Sequence, residues 1–246
     1  MYHGLIAAAG VGSRLQDLCA RRNKVLLDLG GETVLETILS GFEQAGVGPT
    51  WVVVGFDGPA VRAACARRAE CLLNPFFEHY GILGSIWQAR PHLDGKPFVF
   101  TVGDHYFSPS RLRAFLDDQP EADVLVDVEL KACDDEDMKV FLNREGKLRT
   151  MTKTCLAGPV LGEFTGCVRF SAEGSRQFFD TLDKHVWQHG IQGYLADALC
   201  THHRKWELAF HLSADHHRVD VDFPCDLARA CELYQSLDRR GARQSG

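Results

Sequence analysis

A glycine-containing loop directly after the first apolar run is a candidate for phosphate chemistry. Residues 5–9 are apolar, and the loop reads Ala8-Ala9-Gly10-Val11-Gly12-Ser13-Arg14. Glycines let backbone N–H groups approach phosphate oxygens, and an arginine adds a fixed fork of donors. It is not the dinucleotide fingerprint, because Leu15 occupies the third glycine position, nor the NTPase phosphate loop, which needs Lys-Ser/Thr after its last glycine. An ordinary strand-to-helix turn is the alternative.

Lys24 favours the phosphate interpretation. It follows the glycine loop and opens the segment 24–31, which ends in Gly30-Gly31. A lysine near such a loop supplies a compact positive charge for a triphosphate. The alternative for Lys24 is a solvated side chain.

Carboxylates at two further places suggest a metal site. Asp104 follows the apolar run 98–102, and a carboxylate at the carboxyl end of a strand, near bound phosphates, is a natural Mg²⁺ ligand. Asp220 and Asp222 alternate along a predicted strand and therefore share a face, where a cation would relieve their repulsion. Capping of the helix that begins at Pro224 is the alternative role for Asp222. His105, beside Asp104, is a candidate for contact with a second substrate.

The elements that must position these residues alternate between strand and helix in the first half. We predict strands at 5–9, 51–56 and 98–102, and helices at 32–44, 59–69 and 83–89. Such alternation implies a largely parallel sheet with helices on both faces. Ligands bind at the carboxyl ends of these strands, where Gly10 and Asp104 are expected to lie. The predicted fold class is α/β, a Rossmann-like three-layer sandwich with a mixed, mostly parallel sheet.

The second half has shorter strands, predicted at 123–130, 139–143, 148–151, 166–170, 208–212 and 218–221. Helices are predicted at 175–182, 193–199 and 224–237. No repeat or inter-domain linker interrupts the chain. We therefore predict a single domain over residues 1–246. It has a nucleotide-binding half at about 1–120, an elaborated acceptor-binding half at about 121–237 and a frayed tail at 238–246.

Composition excludes several classes of protein. The 246 residues include 27 basic and 33 acidic ones, a net charge of −6, whereas nucleic-acid and membrane-surface binders normally carry a basic excess. We therefore expect no nucleic-acid and no membrane partner. Nine cysteines, none in a Cys-x-x-Cys pair, are typical of reduced thiols in a cytoplasmic protein. Since no targeting segment or membrane-length apolar stretch is visible, we expect a cytoplasmic location.

Together these motifs resemble the nucleotidyltransferase superfamily that activates sugar phosphates. More narrowly, the chain is similar to bacterial CTP:phosphocholine cytidylyltransferases and to relatives acting on aminoethylphosphonate or inositol phosphate. The narrower likeness rests on Lys153 and on the segments 74–78, 85–90, 135–140, 162–166 and 226–230, which follow in order along nearly the whole chain. It implies a Mg²⁺-dependent enzyme that joins CTP to a small phosphate or phosphonate acceptor. A homodimer is left open.

The resemblance also implies a role for each matching residue. The nucleotide would be bound by Ala8, Ala9, Gly10, Gly12, Ser13, Arg14, Lys24, Asn74, Gly84, Ser85 and Asp104. Asp104 and Asp220 would hold Mg²⁺, with Asp222 close to it. The acceptor would meet His105, Asp137, Lys139, Lys153, Glu163 and Asp197. Arg14, Lys24 and Lys153 would be the catalytic cations.

The chain departs from the family pattern at a few positions. Gly81-Ile82 replaces a pair of asparagines, Val25 replaces a proline, His217 replaces a tryptophan, and Asp220 replaces a glutamate. The missing asparagines leave open a sugar-1-phosphate nucleotidyltransferase that uses UTP, GTP or dTTP, or a cofactor-guanylylating relative. A nucleotide-binding protein without turnover is a more remote alternative.

Overall fold

A computed structural model describes residues 1–12, 15, 22–118, 120–202 and 206–244; for residues 202 and 238–244 it describes the backbone only. Helices in this part of the chain are α1 Val34–Gln44, α2 Gly58–Cys65, α3 Ile82–Gln88, α4 Arg90–Leu93, α5 Pro109–Asp117, α6 Ala172–His189, α7 Leu195–His202 and α8 Pro224–Gln244. A 3-10 helix spans Lys24–Leu26. Among these described helices, none is long and apolar enough to cross a bilayer.

The strands are β1 His3–Ala8, β2 Thr50–Val54, β3 Glu70–Leu73, β4 Phe98–Val102, β5 His105–Phe107, β6 Val124–Glu129, β7 Lys139–Leu142, β8 Leu148–Thr152, β9 Val160–Phe170, β10 Leu208–Ser213 and β11 Arg218–Asp220. The main sheet has the order β10-β6-β9-β4-β1-β2-β3, and the β7–β8 hairpin pairs with β9. Strands β4, β1, β2 and β3 are parallel, whereas β9 is antiparallel to both β4 and β6. Outside this sheet, β5 and β11 form an antiparallel pair.

Successive side chains of the central strands point to opposite faces of the sheet and pack in two separate cores, as expected for parallel strands that are buried on both faces. In β2, Trp51 and Val53 pack on one face of the sheet with α3, α6 and α7. Val52 and Val54 pack on the other face with α1, α2 and α5. Both faces are therefore covered by helices, which confirms the predicted α/β three-layer sandwich.

Strand β9 is longer than the sequence pattern indicates. The apolar run predicts a strand only at 166–170, but β9 spans Val160–Phe170. Gly162 interrupts the apolar pattern because the backbone of Glu129 lies directly against it, and a Cβ at this position would collide with that carbonyl oxygen. The register between β6 and β9 also shifts between Val126 and Val128. Strand β9 thus joins the strands of the first half to those of the second.

Candidate active site

Three adjoining cavities open near the carboxyl ends of β1 and β4. The loop cavity, of about 290 Å³, contains Ala8, Ala9, Gly10 and Lys24 in its wall. The central cavity, of about 460 Å³, shares four wall residues with it: Gly81, Ile82, Val102 and Asp104. The charged cavity, of about 350 Å³, shares five with the central cavity: Glu136, Lys153, Glu163, Asp220 and Asp222. Asp104 therefore lies where the loop cavity meets the central one.

The glycine loop is held by a residue that the sequence motifs did not single out. Asn23 is buried, and its amide donates to the carbonyl oxygens of Ala8 at 2.8 Å and Phe56 at 2.9 Å. Its own side-chain oxygen accepts from the backbone N–H of Val25 at 3.1 Å. A buried amide with all its polar atoms bonded to backbone fixes local geometry. Its position immediately before Lys24 is the signal by which it could have been found.

The other predicted nucleotide residues take different positions. Ser85 lies in the wall of the loop cavity, and Asn74 lies fully buried behind it, 3.3 Å from its hydroxyl. Gly12 lies beside the Lys24 side chain, and Gly84 packs against Tyr80. The predicted residues Ser13 and Arg14 fall outside the described residues.

Lys24 is held between two carboxylates. Its ammonium nitrogen lies 2.6 Å from Oδ2 of Asp104 and 2.7 Å from Oδ1 of Asp222. Burial by itself lowers the pKa of Lys24, but the two carboxylates outweigh it and raise this pKa well above its usual value. Lys24 is therefore charged at every physiological pH. At the N-terminus of α8, the carboxylate of Asp226 accepts a hydrogen bond from the N–H of Phe223 at 2.8 Å. The carboxylate of Asp222 contacts Lys24.

Two charged side chains, Asp220 and Arg218, contact His105. The pairing of β5 with β11 places His105 opposite Asp220, with Nε2 of the imidazole 3.0 Å from Oδ1 of the carboxylate. Nη1 of Arg218 lies 3.3 Å from Nδ1 of His105. Burial lowers the pKa of His105, but Asp220 and Asp104 together outweigh it, so the net shift is upward. Burial likewise raises the pKa of Asp220, but His105 and Arg218 hold it well below its usual range.

Asp104, His105 and Asp220 form a group that could hold a metal ion. One ligand atom from each residue lies within 4.8 Å of the others. Oδ1 of Asp104 is buried without a hydrogen-bond partner among the described residues, since His105 Nε2, at 3.7 Å, is too distant for one. Two carboxylates leave room for waters and substrate phosphates, which is the donor set Mg²⁺ prefers. The residues present therefore fit a divalent cation, whereas Asp222 lies outside this group.

Four of the six residues predicted to meet an acceptor line the central or the charged cavity: His105, Asp137, Lys153 and Glu163. Glu163 lines both, and its carboxylate is bonded by Lys131 at 3.1 Å and, closely, by Nη2 of Arg218. Lys131 also lies 3.1 Å from the carboxylate of Asp137. Neither Lys131 nor Arg218 belongs to a sequence motif that indicates this role. They reach Glu163 only because β9 and β11 bring distant segments together.

Lys153, Lys139 and Asp197 complete the predicted set. Lys153 lines both cavities, with its ammonium 3.5 Å from Glu136 and 5.9 Å from the ring centroid of Tyr194. Lys139 is buried, and its ammonium donates to the backbone carbonyl of Lys153 at 2.8 Å. The carboxylate of Asp197 accepts from the N–H of Tyr194 at 2.7 Å. Lys139 and Asp197 thus support segments that line the central cavity.

Solved structures share this fold over nearly the whole chain. CTP:phosphocholine cytidylyltransferase (LicC) from Streptococcus pneumoniae superposes with a TM-score of 0.79 at 14% identity, covering 95% of this chain and 99% of that one. The inositol-1-phosphate CTP transferase from T. maritima superposes with a TM-score of 0.77 at 19% identity, covering 95% of this chain and 94% of that one. A Bacillus anthracis protein named as a glucose-1-phosphate thymidylyltransferase gives 0.79 at 16% identity, covering 95% of each chain. At these identities the likeness establishes the fold.

Sequence comparison gives the family. Bifunctional protein GlmU from Synechococcus elongatus is 32% identical over 90 residues, which are 37% of this chain. The match spans 19% of that relative's length. The family model of the MobA-like NTP transferase domain matches residues 4–145, more than half of the chain. The resemblance noted from the motifs is thereby confirmed: the chain belongs to the MobA-like NTP transferase family and is a nucleotidyltransferase.

Proposed function

We propose that the protein is a Mg²⁺-dependent cytidylyltransferase that joins CTP to a small phosphate or phosphonate acceptor and releases pyrophosphate. The observation that carries this proposal is the meeting of the loop and central cavities at Asp104. A nucleotide in the loop cavity and an acceptor in the central cavity would meet beside Lys24, Asp104 and Asp220. The phosphocholine and inositol-phosphate enzymes that share the fold support a small acceptor of this kind.

The reaction is an in-line displacement. An oxygen of the acceptor phosphate bonds to the α-phosphorus of CTP as the bond from that phosphorus to the α–β bridging oxygen breaks, and pyrophosphate leaves with the electron pair. No general base is needed, because the acceptor phosphate is already ionised near neutral pH. The protein must instead position two mutually repelling anions and stabilise the charge that develops between them.

The chain offers several groups for this task. Lys24 would meet the triphosphate from the loop cavity, and Lys153 would meet the acceptor from the central cavity. Arg14, outside the described residues, stays a prediction for the triphosphate. Asp104 and Asp220 would hold Mg²⁺, which when bound would neutralise negative charge on the α-phosphate. The N–H of His105 would keep the carboxylate of Asp220 oriented toward that site.

A second candidate keeps the reaction and changes the substrates. A sugar-1-phosphate nucleotidyltransferase that uses UTP, GTP or dTTP is favoured by the GlmU match and by Gly81-Ile82, which line both cavities where the family pattern has asparagines. For the cytidylyltransferase, by contrast, the acceptor classes proposed are phosphocholine-like compounds, aminoalkylphosphonates and polyol phosphates. A cytoplasmic location and a homodimer stay predictions.

Pyrophosphate release, measured with each of four NTPs against a panel of phosphate and phosphonate acceptors, tests the proposal. We expect release with CTP and at least one small acceptor in the presence of Mg²⁺. Release with UTP, GTP or dTTP but never with CTP would establish the second candidate. Tight nucleotide binding without release from any pair of substrates would favour the non-catalytic alternative.

A further inference from the structure

The Lys131 ammonium bridges two acids on the wall of the charged cavity. Its nitrogen lies 3.1 Å from the carboxylate of Asp137 and 3.1 Å from that of Glu163. The two carboxylates belong to different segments, and both are buried, whereas about a third of the Lys131 side chain is exposed. Burial lowers the pKa of Lys131, but Glu163 and Asp137 raise it by more, so the lysine remains charged. A permanent cation therefore occupies the space between these acids.

The acids that line the central cavity also face cationic or N–H groups of the protein. Asp104 and Asp222 are bonded by Lys24, and Asp220 is bonded by the N–H of His105. Glu163 is bonded by Lys131 and Arg218, and Glu136 lies 3.5 Å from Lys153. At Asp104, Asp222, Glu163 and Glu136, a cationic group on an acceptor would therefore approach a carboxylate that already faces a lysine or an arginine. Partnered carboxylates keep lone pairs for hydroxyl donors, because each oxygen accepts more than one hydrogen bond.

We propose that Lys131 takes the position that a cationic acceptor group would need, so that the enzyme selects phosphate or phosphonate esters whose other end is uncharged and carries hydroxyl groups. The inference rests on the proposed nucleotidyl transfer. Glu163 faces two fixed cations, Lys131 and Arg218, and Asp137 faces Lys131. Arg218 is shared with Glu129, at 3.2 Å. A quaternary or primary ammonium that approached Glu163 would lie next to these two fixed cations. A hydroxyl group would donate to the same carboxylates without that repulsion.

Removing the Lys131 charge gives the sharpest test. In Lys131→Met the aliphatic stem is retained and one of the two cations that face Glu163 is lost, which favours an incoming cation. Lys147→Met is the matched control, because Lys147 is exposed in the β7–β8 turn and lines none of the three cavities. Both variants and the wild type are assayed by pyrophosphate release with Mg²⁺ and each of CTP, UTP, GTP and dTTP, and acceptor preference is compared with the NTP that supports turnover. The acceptors are inositol-1-phosphate and glycerol phosphate, which carry hydroxyls, and phosphocholine and 2-aminoethylphosphonate, which carry a cation.

We expect the wild type to show a kcat/KM about tenfold or more higher for a hydroxylated acceptor than for either cationic one. Lys131→Met should raise kcat/KM for a cationic acceptor relative to the hydroxylated ones by about tenfold, and Lys147→Met should leave the ratio unchanged. If the methionine variant fails to fold, Lys131→Gln replaces it, and thermal denaturation of each variant checks folding.

Two results would overturn the inference alone. One is a wild type that uses phosphocholine or 2-aminoethylphosphonate as well as the hydroxylated acceptors. The other is a folded Lys131 variant with the wild-type preference. Absence of pyrophosphate release from every NTP and every acceptor would instead overturn the proposed function on which the inference rests, so the two failures are distinguishable.

Discussion

The ammonium nitrogen of Lys24 lies 2.6 Å from the carboxylate of Asp104, so a cation in the wall of the loop cavity is joined to an acid shared with the central cavity. The pair ties the glycine-loop side of the site to the end of β4. In the proposed reaction Lys24 would meet the triphosphate, and Asp104 would help to hold the metal. The ion pair therefore aligns the two positive elements that the proposed reaction requires.

Lys24→Met should lower kcat/KM for nucleotidyl transfer by about 10²–10³-fold, because a preorganised charge beside the triphosphate is lost. Pyrophosphate release under Mg²⁺ measures the effect, and thermal denaturation checks that the variant folds. Lys184→Met, at an exposed position on α6, is the control and should retain wild-type turnover. Near-normal activity of a folded Lys24→Met protein would remove Lys24 from the mechanism.

Asp220 and Asp222 form a matched pair for testing the metal site. Only Asp220 belongs to the group whose ligand atoms lie within 4.8 Å of one another, whereas Asp222 bonds Lys24. Asp220→Asn should therefore raise the Mg²⁺ concentration needed for half-maximal turnover by about tenfold or more, and Asp222→Asn should raise it less. A chelator should abolish turnover in the wild type, with recovery on adding Mg²⁺. Equal Mg²⁺ requirements in the two variants would contradict the assignment.

Asp104→Asn should reduce kcat far more than it raises KM for the acceptor. Asp104 belongs to the proposed metal group and bonds Lys24, so its charge acts on the reacting phosphate rather than on the rest of the acceptor. Loss of such a group lowers turnover by about 10²-fold or more. Steady-state kinetics with varied acceptor separates kcat from KM, and Asp117→Asn, at an exposed position of α5, is the control. Unchanged kcat would show that this site assignment is wrong.

Gly81→Ala should impair acceptor use more than nucleotide use. A Cβ at Gly81 would lie only 3.1 Å from the carbonyl oxygen of Gly193, whose φ of +132° favours glycine. The loop would have to move, and with it Tyr194, which lines the central cavity. We expect KM for the acceptor to rise by about tenfold with a smaller change for the NTP, since small displacements of a bound reactant are costly. Gly58→Ala, where a Cβ meets only ordinary contacts, is the control; equal changes in both KM values would refute this coupling.

Two arginines on α5 test how burial changes the contribution of an ion pair to the free energy of unfolding. Arg111 is buried and bonds Asp127 at 3.0 Å, whereas Arg113 is exposed and pairs with Asp117 within the same helix. Arg111→Met should lower the free energy of unfolding by about 3–5 kcal/mol, because it leaves the buried Asp127 charge uncompensated. Arg113→Met should lower it by at most about 1 kcal/mol. Urea denaturation of both variants measures the difference, and similar losses would disprove the role given to burial.

The sequence predicted β1, β2 and β4 because these strands are buried on both faces, and the predicted strand at 98–102 coincides with β4. Strand β3, which is only partly buried, and helix α5 were not predicted. Strand β9 was only partly predicted because Gly162, placed there by close contact with Glu129, breaks the apolar pattern. Because Glu129 is distant in sequence, the residues around Gly162 do not indicate that contact.

The same distinction holds for the candidate site. Lys24, Asp104 and Asp220 belong to short motifs, and the rule that ligands bind at the carboxyl ends of parallel strands indicated that the glycine loop and Asp104 lie close together. Lys131 and Arg218 carry no such signal. Their contacts with Glu163 depend on the register of β9 and on the β5–β11 pair, which tertiary packing determines.

The central position of β9 also limits how such enzymes can be recombined. The predicted division near residue 120 falls between the two halves of the sequence, but β9 lies between β4 and β6 in one continuous sheet. A hybrid that exchanges the second half would replace the partner strand of β4 and with it the packing of Phe98 against Phe170. We therefore expect changes of side chains or loops to transfer acceptor specificity between relatives more readily than exchange of whole halves, which would require rebuilding the β4–β9 contact.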